Sequence, residues 1–274
     1  MGGIWLAVSL LILVLVGAGA AYWLARRRQQ NLALLRSRLV AVTQSVRQTG
    51  DNIAHDLRTP LTRLRADVEA ALRQEDGKVH RAALERVLDE IQGMQNIINA
   101  LLALGQAEAG GMQVKKKTVD LTGLLMEMIE LYAPSAEERQ LTLKGRIEPN
   151  LTIEADRQLL ARILSNLLDN ELKYVPPGGL IMLSAAAKGD KLEILVEDDG
   201  PGIPVDMRDK IFERFARLDP SRTVSSGAGL GLSLVRAFAR VLQGDARVVE
   251  SSLGGAAFIV TLSASAADIS RPAP

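Results

Sequence analysis

From Leu32 to Leu72 one apolar series advances in steps of three and four: Leu32, Leu35, Leu39, Val42, Val46, Ile53, Leu57, Leu61, Leu64, Val68 and Leu72, with Thr49 in its single polar slot. That period suits one stripe of a long α-helix and is incompatible with the two-residue period of a strand. "RQEDGK" at 73–78 breaks the series with a charged, glycine-bearing turn. A second series follows, Leu84, Val87, Ile91, Met94, Ile98 and Leu101, and "EAGGM" at 108–112 ends it. Two long helices joined by a short loop make an antiparallel hairpin. A hairpin this thin has no way to bury both stripes alone, so we expect two copies to pair as a homodimeric four-helix bundle.

Upstream lies a different constraint. Ile4 to Leu24 is a run of 21 residues without a charge. As a helix it is about 31 Å long at roughly 1.5 Å per residue, close to the hydrocarbon thickness of a bilayer. Trp5, Tyr22 and Trp23 stand near its ends, where amphipathic rings favour the interface, and Arg26, Arg27 and Arg28 follow at once. A secretory signal peptide is the competing account, but there the basic cluster precedes the apolar run. We expect a retained transmembrane helix over 1–25, one membrane crossing, and a cytoplasmic catalytic part. Gly17 and Ala21 form a weak small-xxx-small pair.

After Gly111 the texture turns to mixed helix and strand. The spacing predicts a strand within "QVKKKTVDL", a helix near 121–139, short strands at 141–147 and 151–155, and Asp156 as the N-cap of the next helix. "LIMLSAAAKGDKLEILVEDDG" reads as a hairpin turning at 188–190. A last helix near 230–243 precedes the strands "ARVVES" and "AAFIVTL". The fold class is therefore α+β and multidomain: a transmembrane helix, a juxtamembrane segment (26–50), a helical hairpin (51–110), an α/β sandwich (111–263) and a polar tail (264–274).

Composition removes several functions. A net charge of +1 and 3% aromatic residues speak against a nucleic-acid binder. With no cysteine, disulfides, thiolate metal sites and cysteine nucleophiles are excluded.

His55 is one of two histidines in the chain. It stands two residues from both Ile53 and Leu57, and two residues rotate a helix by about 200°, so it faces away from the seam. Asp56 is beside it, and Pro60, five residues on, removes a helical hydrogen bond. An ordinary exposed polar residue remains the plain alternative. Three further clusters stand out. Asn166 and Asn170, at i and i+4, place two carboxamides on one helix face, where their oxygens suit a hard cation. Asp198 ends an apolar strand and is followed by Gly200 and Gly202, which let a ligand come close. Gly227, Gly229 and Gly231 lead into a helix whose N-terminal N–H groups favour an anion.

In order, "HDLRTPL", "NLLDNELKY", "DDGPGI", "IFERF" and "GAGLGL" resemble the H, N, G1, F and G2 boxes of the bacterial sensor histidine kinases. The resemblance covers roughly residues 45–262. It implies a dimerisation and phosphotransfer hairpin followed by a Bergerat-type ATP-binding domain, with ATP and Mg²⁺ as cofactors and a response-regulator receiver domain as partner. It also implies location in the inner (cytoplasmic) membrane. By position, His55 is the phosphoacceptor, Asp56 its acid/base neighbour, and Thr59 the residue that positions water in phosphatase-active members. Asn170 and Asn166 hold Mg²⁺, while Lys173 and Tyr174 lie at the nucleotide edge. Asp198 accepts from the adenine amino group, Gly200 and Gly202 make room for the ring, and Gly227, Gly229 and Gly231 close a lid on the phosphates.

Two departures accompany this. Glu171 follows Asn170 where the family usually has a small residue; we expect it to point away, the alternative being altered metal or phosphate affinity. Only 30 residues separate Leu24 from His55, too few for a full HAMP relay, so the chain resembles a kinase that has lost its input half, by truncation or by nature. Six arginines and no acids between 26 and 50 point to membrane-surface contact or a solvated helix face. Two rivals stay open: a gyrase-like ATPase, which would carry a glutamate at the position of Asn166, and a tethered scaffold or phosphatase-only protein.

Overall fold

The computed structural model describes residues 61–62, 64–66, 68–69, 77–218 and 229–263. The expected transmembrane helix, the 26–50 segment, His55, Asp56, Thr59, Gly227 and the tail lie outside these residues. Among the described residues no helix is long and apolar enough to cross a membrane.

Residues 61–62, 64–66 and 68–69 are helical, as the first apolar series requires. The second arm is α1 (Gly77–Glu108), which begins inside the expected turn. Along it Leu84, Leu88, Ile91, Ile98 and Leu102 remain between 39% and 65% exposed. Within one chain, much of the seam stays open. The C-terminal part of α1 is anchored where Ala103 and Leu104 join the core of the second module.

That module contains β1 (Lys117–Asp120), α2 (Leu121–Glu138), β2 (Thr142–Ile147), β3 (Thr152–Ala155), α3 (Arg157–Tyr174), β4 (Leu180–Lys188), β5 (Lys191–Asp198), α4 (Gly231–Val241), β6 (Asp245–Glu250) and β7 (Ala256–Ser263). Two short 3₁₀ turns, Val205–Met207 and Lys210–Phe212, had no counterpart in the sequence reading. β1 and β3 form an antiparallel pair; the main sheet has the order β2-β4-β5-β7-β6. In it β2 runs parallel to β4 and the other neighbours are antiparallel. The last of the described strands, β7, is therefore inserted between β5 and β6.

Alternation makes the sandwich. Ile181, Leu183 and Ala185 on β4, Leu192, Ile194 and Val196 on β5, and Phe258, Val260 and Leu262 on β7 are buried, and the residues between them are mostly half-buried. The helices cover the buried face. The stripe Leu159, Leu160, Ile163, Leu164, Leu167 and Leu168 puts α3 against it, and burial of each such side chain contributes about 1.5–3 kcal/mol.

Asp156 caps α3 as expected. Its Oδ1 accepts from Gln158 N at 2.9 Å and Leu159 N at 3.4 Å, while Oδ2 accepts from Lys115 N at 2.9 Å. Asp120 caps α2 by accepting from Gly123 N at 2.9 Å. The two caps fix where α2 and α3 start, and so which α3 residues face α4.

Candidate nucleotide and cation site

The site forms where the middle of α3 meets the first turn of α4. The Asn166 Nδ2 donates to the Arg162 carbonyl at 2.7 Å, which fixes the side-chain amide and leaves its oxygen facing α4. A Cβ on Gly231 would lie 3.1 Å from Asn166 Oδ1 and 3.9 Å from Asn170 Oδ1. Both carboxamide oxygens thus converge on the first residue of α4. Leu230, the N-cap of α4, makes no side-chain capping bond, so the first-turn N–H groups have no such partner. An uncapped helix start favours an anion, and two carboxamide oxygens favour a hard cation. Among the described residues no three His, Asp or Glu side chains gather as a metal cluster. A divalent ion here would therefore rest on the two carboxamides and on phosphate oxygens of its ligand.

Gly229 holds the approach to this turn. Its φ is +64°, and a Cβ would lie 2.8 Å from the Phe215 carbonyl carbon. Phe215 N in turn donates to the Gly229 carbonyl at 2.9 Å, which brings residues 215 and 229 together.

The second cluster centres on Asp198, at the end of β5 and 4% exposed. Its Oδ1 accepts from Gly200 N at 2.7 Å and its Oδ2 from Ala256 N at 3.1 Å. Gly202, with φ +67°, backs onto the Gly255 carbonyl. The structure thus brings Asp198, Gly200 and Gly202 together at the junction of β5 and β7. Burial raises the Asp198 pKa from its ordinary value, against the pull of the two N–H donors.

Glu171 belongs to this cluster, and the sequence reading underestimated it. It does turn off the Asn166–Asn170 face, but inward: it is 2% exposed and lies beside Asp198. Burial, and then the neighbouring Asp198 carboxyl, hold its pKa well above the ordinary range. Its Oε1 is buried with no hydrogen-bond partner, an arrangement that costs about 1–3 kcal/mol. The signal was present in the spacing, because Leu160, Leu164, Leu167 and Glu171 advance in steps of four, three and four.

Lys173 and Tyr174 stand at the C-terminal end of α3 and pair with each other, the ammonium 4.9 Å from the ring centroid, rather than with Asn166, Asn170 or Gly231. An open cleft of about 430 Å³ lies elsewhere, between the end of α1 and α4, lined by Glu108, Phe212, Arg214, Arg236 and Arg240. Its arginines are engaged: Arg214 with Glu108, Arg236 with Asp245 and the Phe212 ring, and Arg240 with Asp245. It offers no free cationic surface to a phosphate.

Residues 155–266 match the family model described as histidine kinase-, DNA gyrase B- and HSP90-like ATPase. Residues 45–110 match that of the His Kinase A (phospho-acceptor) domain. The sensor protein IrlS of Burkholderia pseudomallei is 36% identical over 193 residues, which is 69% of this chain and 41% of that protein. The chain thus spans less than half the length of that relative. Full-length ShkA, solved in complex with AMPPNP, is 27% identical with a TM-score of 0.61 over 78% of this chain and 46% of that one. ThkA, solved in complex with the response regulator protein TrrA, shares the fold with a TM-score of 0.65 at 19% identity, over 80% of this chain and 61% of that one.

Proposed function

The chain belongs to the sensor histidine kinase family, and from that premise we propose that it transfers the γ-phosphoryl of MgATP to an imidazole nitrogen of His55 and thence to an aspartate of a response-regulator receiver domain. The observation that carries the reading is the convergence of Asn166 and Asn170 oxygens on the uncapped start of α4. That arrangement suits a cation and a phosphate chain side by side, and ShkA was solved with the ATP analogue AMPPNP. The carboxamide at Asn166 leaves no carboxylate to activate water there, which disfavours the gyrase-like reading.

Each residue then has a task. Asn166 and Asn170 hold Mg²⁺, which supplies charge neutralisation at the phosphates when bound. The N–H groups at Gly231 bind phosphate oxygens, with Gly227 and Gly229 closing that side. Asp198 accepts from the adenine amino group, and Gly200 and Gly202 keep side chains off the ring. Lys173 and Tyr174 flank the nucleotide. His55 is the nucleophile, attacking through a neutral imidazole nitrogen, with Asp56 beside it as acid/base and Thr59 positioning the water that hydrolyses the phosphorylated receiver domain. Catalysis rests on positioning and charge neutralisation. The open apolar stripe of α1 supports a homodimer paired through the hairpin, held by a single transmembrane helix at the inner membrane. The partner class follows from the family and from ThkA, solved with a response regulator.

The test is incubation of the full chain with γ-labelled ATP. Acid-labile, base-stable label is expected on the wild type and none on His55→Gln, which retains nucleotide binding. Label persisting on His55→Gln overturns the assignment.

A further inference from the structure

Phe215 has a backbone φ of +63°. A bulky aromatic residue holds that left-handed conformation only where its surroundings over-determine it. Two contacts do so here. Its N–H donates to the Gly229 carbonyl at 2.9 Å, and it lies within a run of tight turns that begins at Asp209. In that run Phe212 N donates to the Asp209 carbonyl at 3.3 Å, Glu213 N to the Lys210 carbonyl at 2.9 Å and Ala216 N to the Glu213 carbonyl at 3.3 Å. Residues 209–216 therefore form a connected clip whose far end closes on Gly229, two residues before Gly231.

Arg236 of α4 holds the near end. Its guanidinium carbon lies 5.1 Å from the centroid of the buried Phe212 ring, its Nη1 3.8 Å from Asp209 Oδ1, and its Nε 3.2 Å from Asp245 Oδ1 at the start of β6. The Asp209 pair is open to water and weak, so the ring contact carries the hold on the clip. Ile211 and Phe212 already bury the turn in the core without a charge. What the guanidinium adds is direction: stacked on the ring and paired to β6, it fixes the angle of the turn to α4. Arg236 is five residues beyond Gly231, about 140° round the helix, so it faces away from the Asn166 oxygen.

We propose that Arg236 is a positioning residue for phosphate binding: by holding the 209–212 turn against α4 it keeps Phe215 closed on Gly229, and so keeps the start of α4 shaped to receive phosphate oxygens. The inference rests on the reading that the phosphates of the nucleotide lie at Gly231. It gives the strained Phe215 backbone and the paired arginine one common task.

The experiment measures the binding of ATP and of adenosine by calorimetric titration, on the full chain with Mg²⁺ present. Adenosine fills the base pocket without a phosphate, so it reads general damage separately. The wild type should bind ATP more tightly than adenosine. Arg236→Met, which keeps the apolar stem, should lose about tenfold in ATP affinity and hold its adenosine affinity to within about twofold. Phe212→Leu keeps the buried slot filled and should show the same selective loss. The double variant should lose no more than about the larger single loss, because both changes release one contact. Should Arg236→Met not fold, Phe212→Leu decides by the same comparison. Equal losses for ATP and adenosine, a folded variant with unchanged ATP affinity, or losses that add in the double variant each overturn the proposal. A wild type that binds both ligands equally removes the phosphate reading and this role with it. A wild type that prefers ATP, beside an Arg236→Met that keeps the preference, removes the role of Arg236 alone.

Discussion

Gly231 faces Asn166 so closely that a Cβ on the glycine would stand 3.1 Å from the carboxamide oxygen. Ala at this position is compatible with helix α4 but crowds the point where the Asn166 and Asn170 oxygens meet. Gly231→Ala should therefore weaken MgATP binding by about tenfold while moving Tm by no more than a few degrees. Calorimetric titration checks this, and an unaltered affinity would show that the ligand does not enter between Asn166 and α4.

Asp156 joins three backbone N–H groups, two in the first turn of α3 and one at Lys115. Asp156→Ala strips all three and should cost about 2 kcal/mol, the upper end for a lost N-cap. Asp156→Asn keeps one carbonyl oxygen and should fall in between. The urea midpoint of the three proteins, at constant m, gives the order.

Tyr132 Oη donates to Asp169 Oδ1 at 2.9 Å, tying α2 to α3. Burial, then the charge of Asp169, raise the tyrosine pKa from 10.0 to about 12. The folded state thus holds this proton more tightly than the unfolded chain. The resulting stabilisation is fully present below pH 10 and is lost as pH rises toward 12. Tyr132→Phe should remove this part of the alkaline slope and cost about 1 kcal/mol at neutral pH. Urea unfolding at neutral pH and above pH 10 tests both statements, and an identical slope in the variant would assign it to another group.

Glu108 and Arg214 form an ion pair between the end of α1 and the ATP-binding module, with side chains 55% and 28% exposed. A pair so open to water contributes under about 1 kcal/mol. Leu104, 1% exposed on the same stretch of α1, should dominate: Leu104→Ala is expected to cost about 2–5 kcal/mol and Glu108→Gln far less. Denaturant melts in low and high salt distinguish packing from charge, and a larger loss for Glu108→Gln would reverse the assignment.

Legibility in the sequence followed the range of the interaction. Period and capping are local, so Asp156 as N-cap of α3 and the hairpin turn before Lys191 were read to within a residue or two. The pairing of Asn166 with Asn170 was equally local, one turn of helix. Their convergence on Gly231 was not, because it depends on how α3 and α4 cross. Glu171 shows the reverse failure. Its place on the stripe was readable, but a charged residue was assumed to avoid burial, and that it lies beside Asp198 depends on the packing of α3 against β5. The turns at 205–207 and 210–212 carry no period at all and were invisible for that reason.

The placement of β7 sets an order of events during synthesis. Strand β6 is held to the sheet through β7, so β5 and β6 stay unjoined until residues 256–263 have left the ribosome. The same late segment completes the Asp198 pocket, since Ala256 N and the Gly255 backbone form its wall. The helical arm can form while translation continues, but the base pocket arises only once the final strand is delivered, and a chain stalled before residue 256 has half a sheet and no place for a purine.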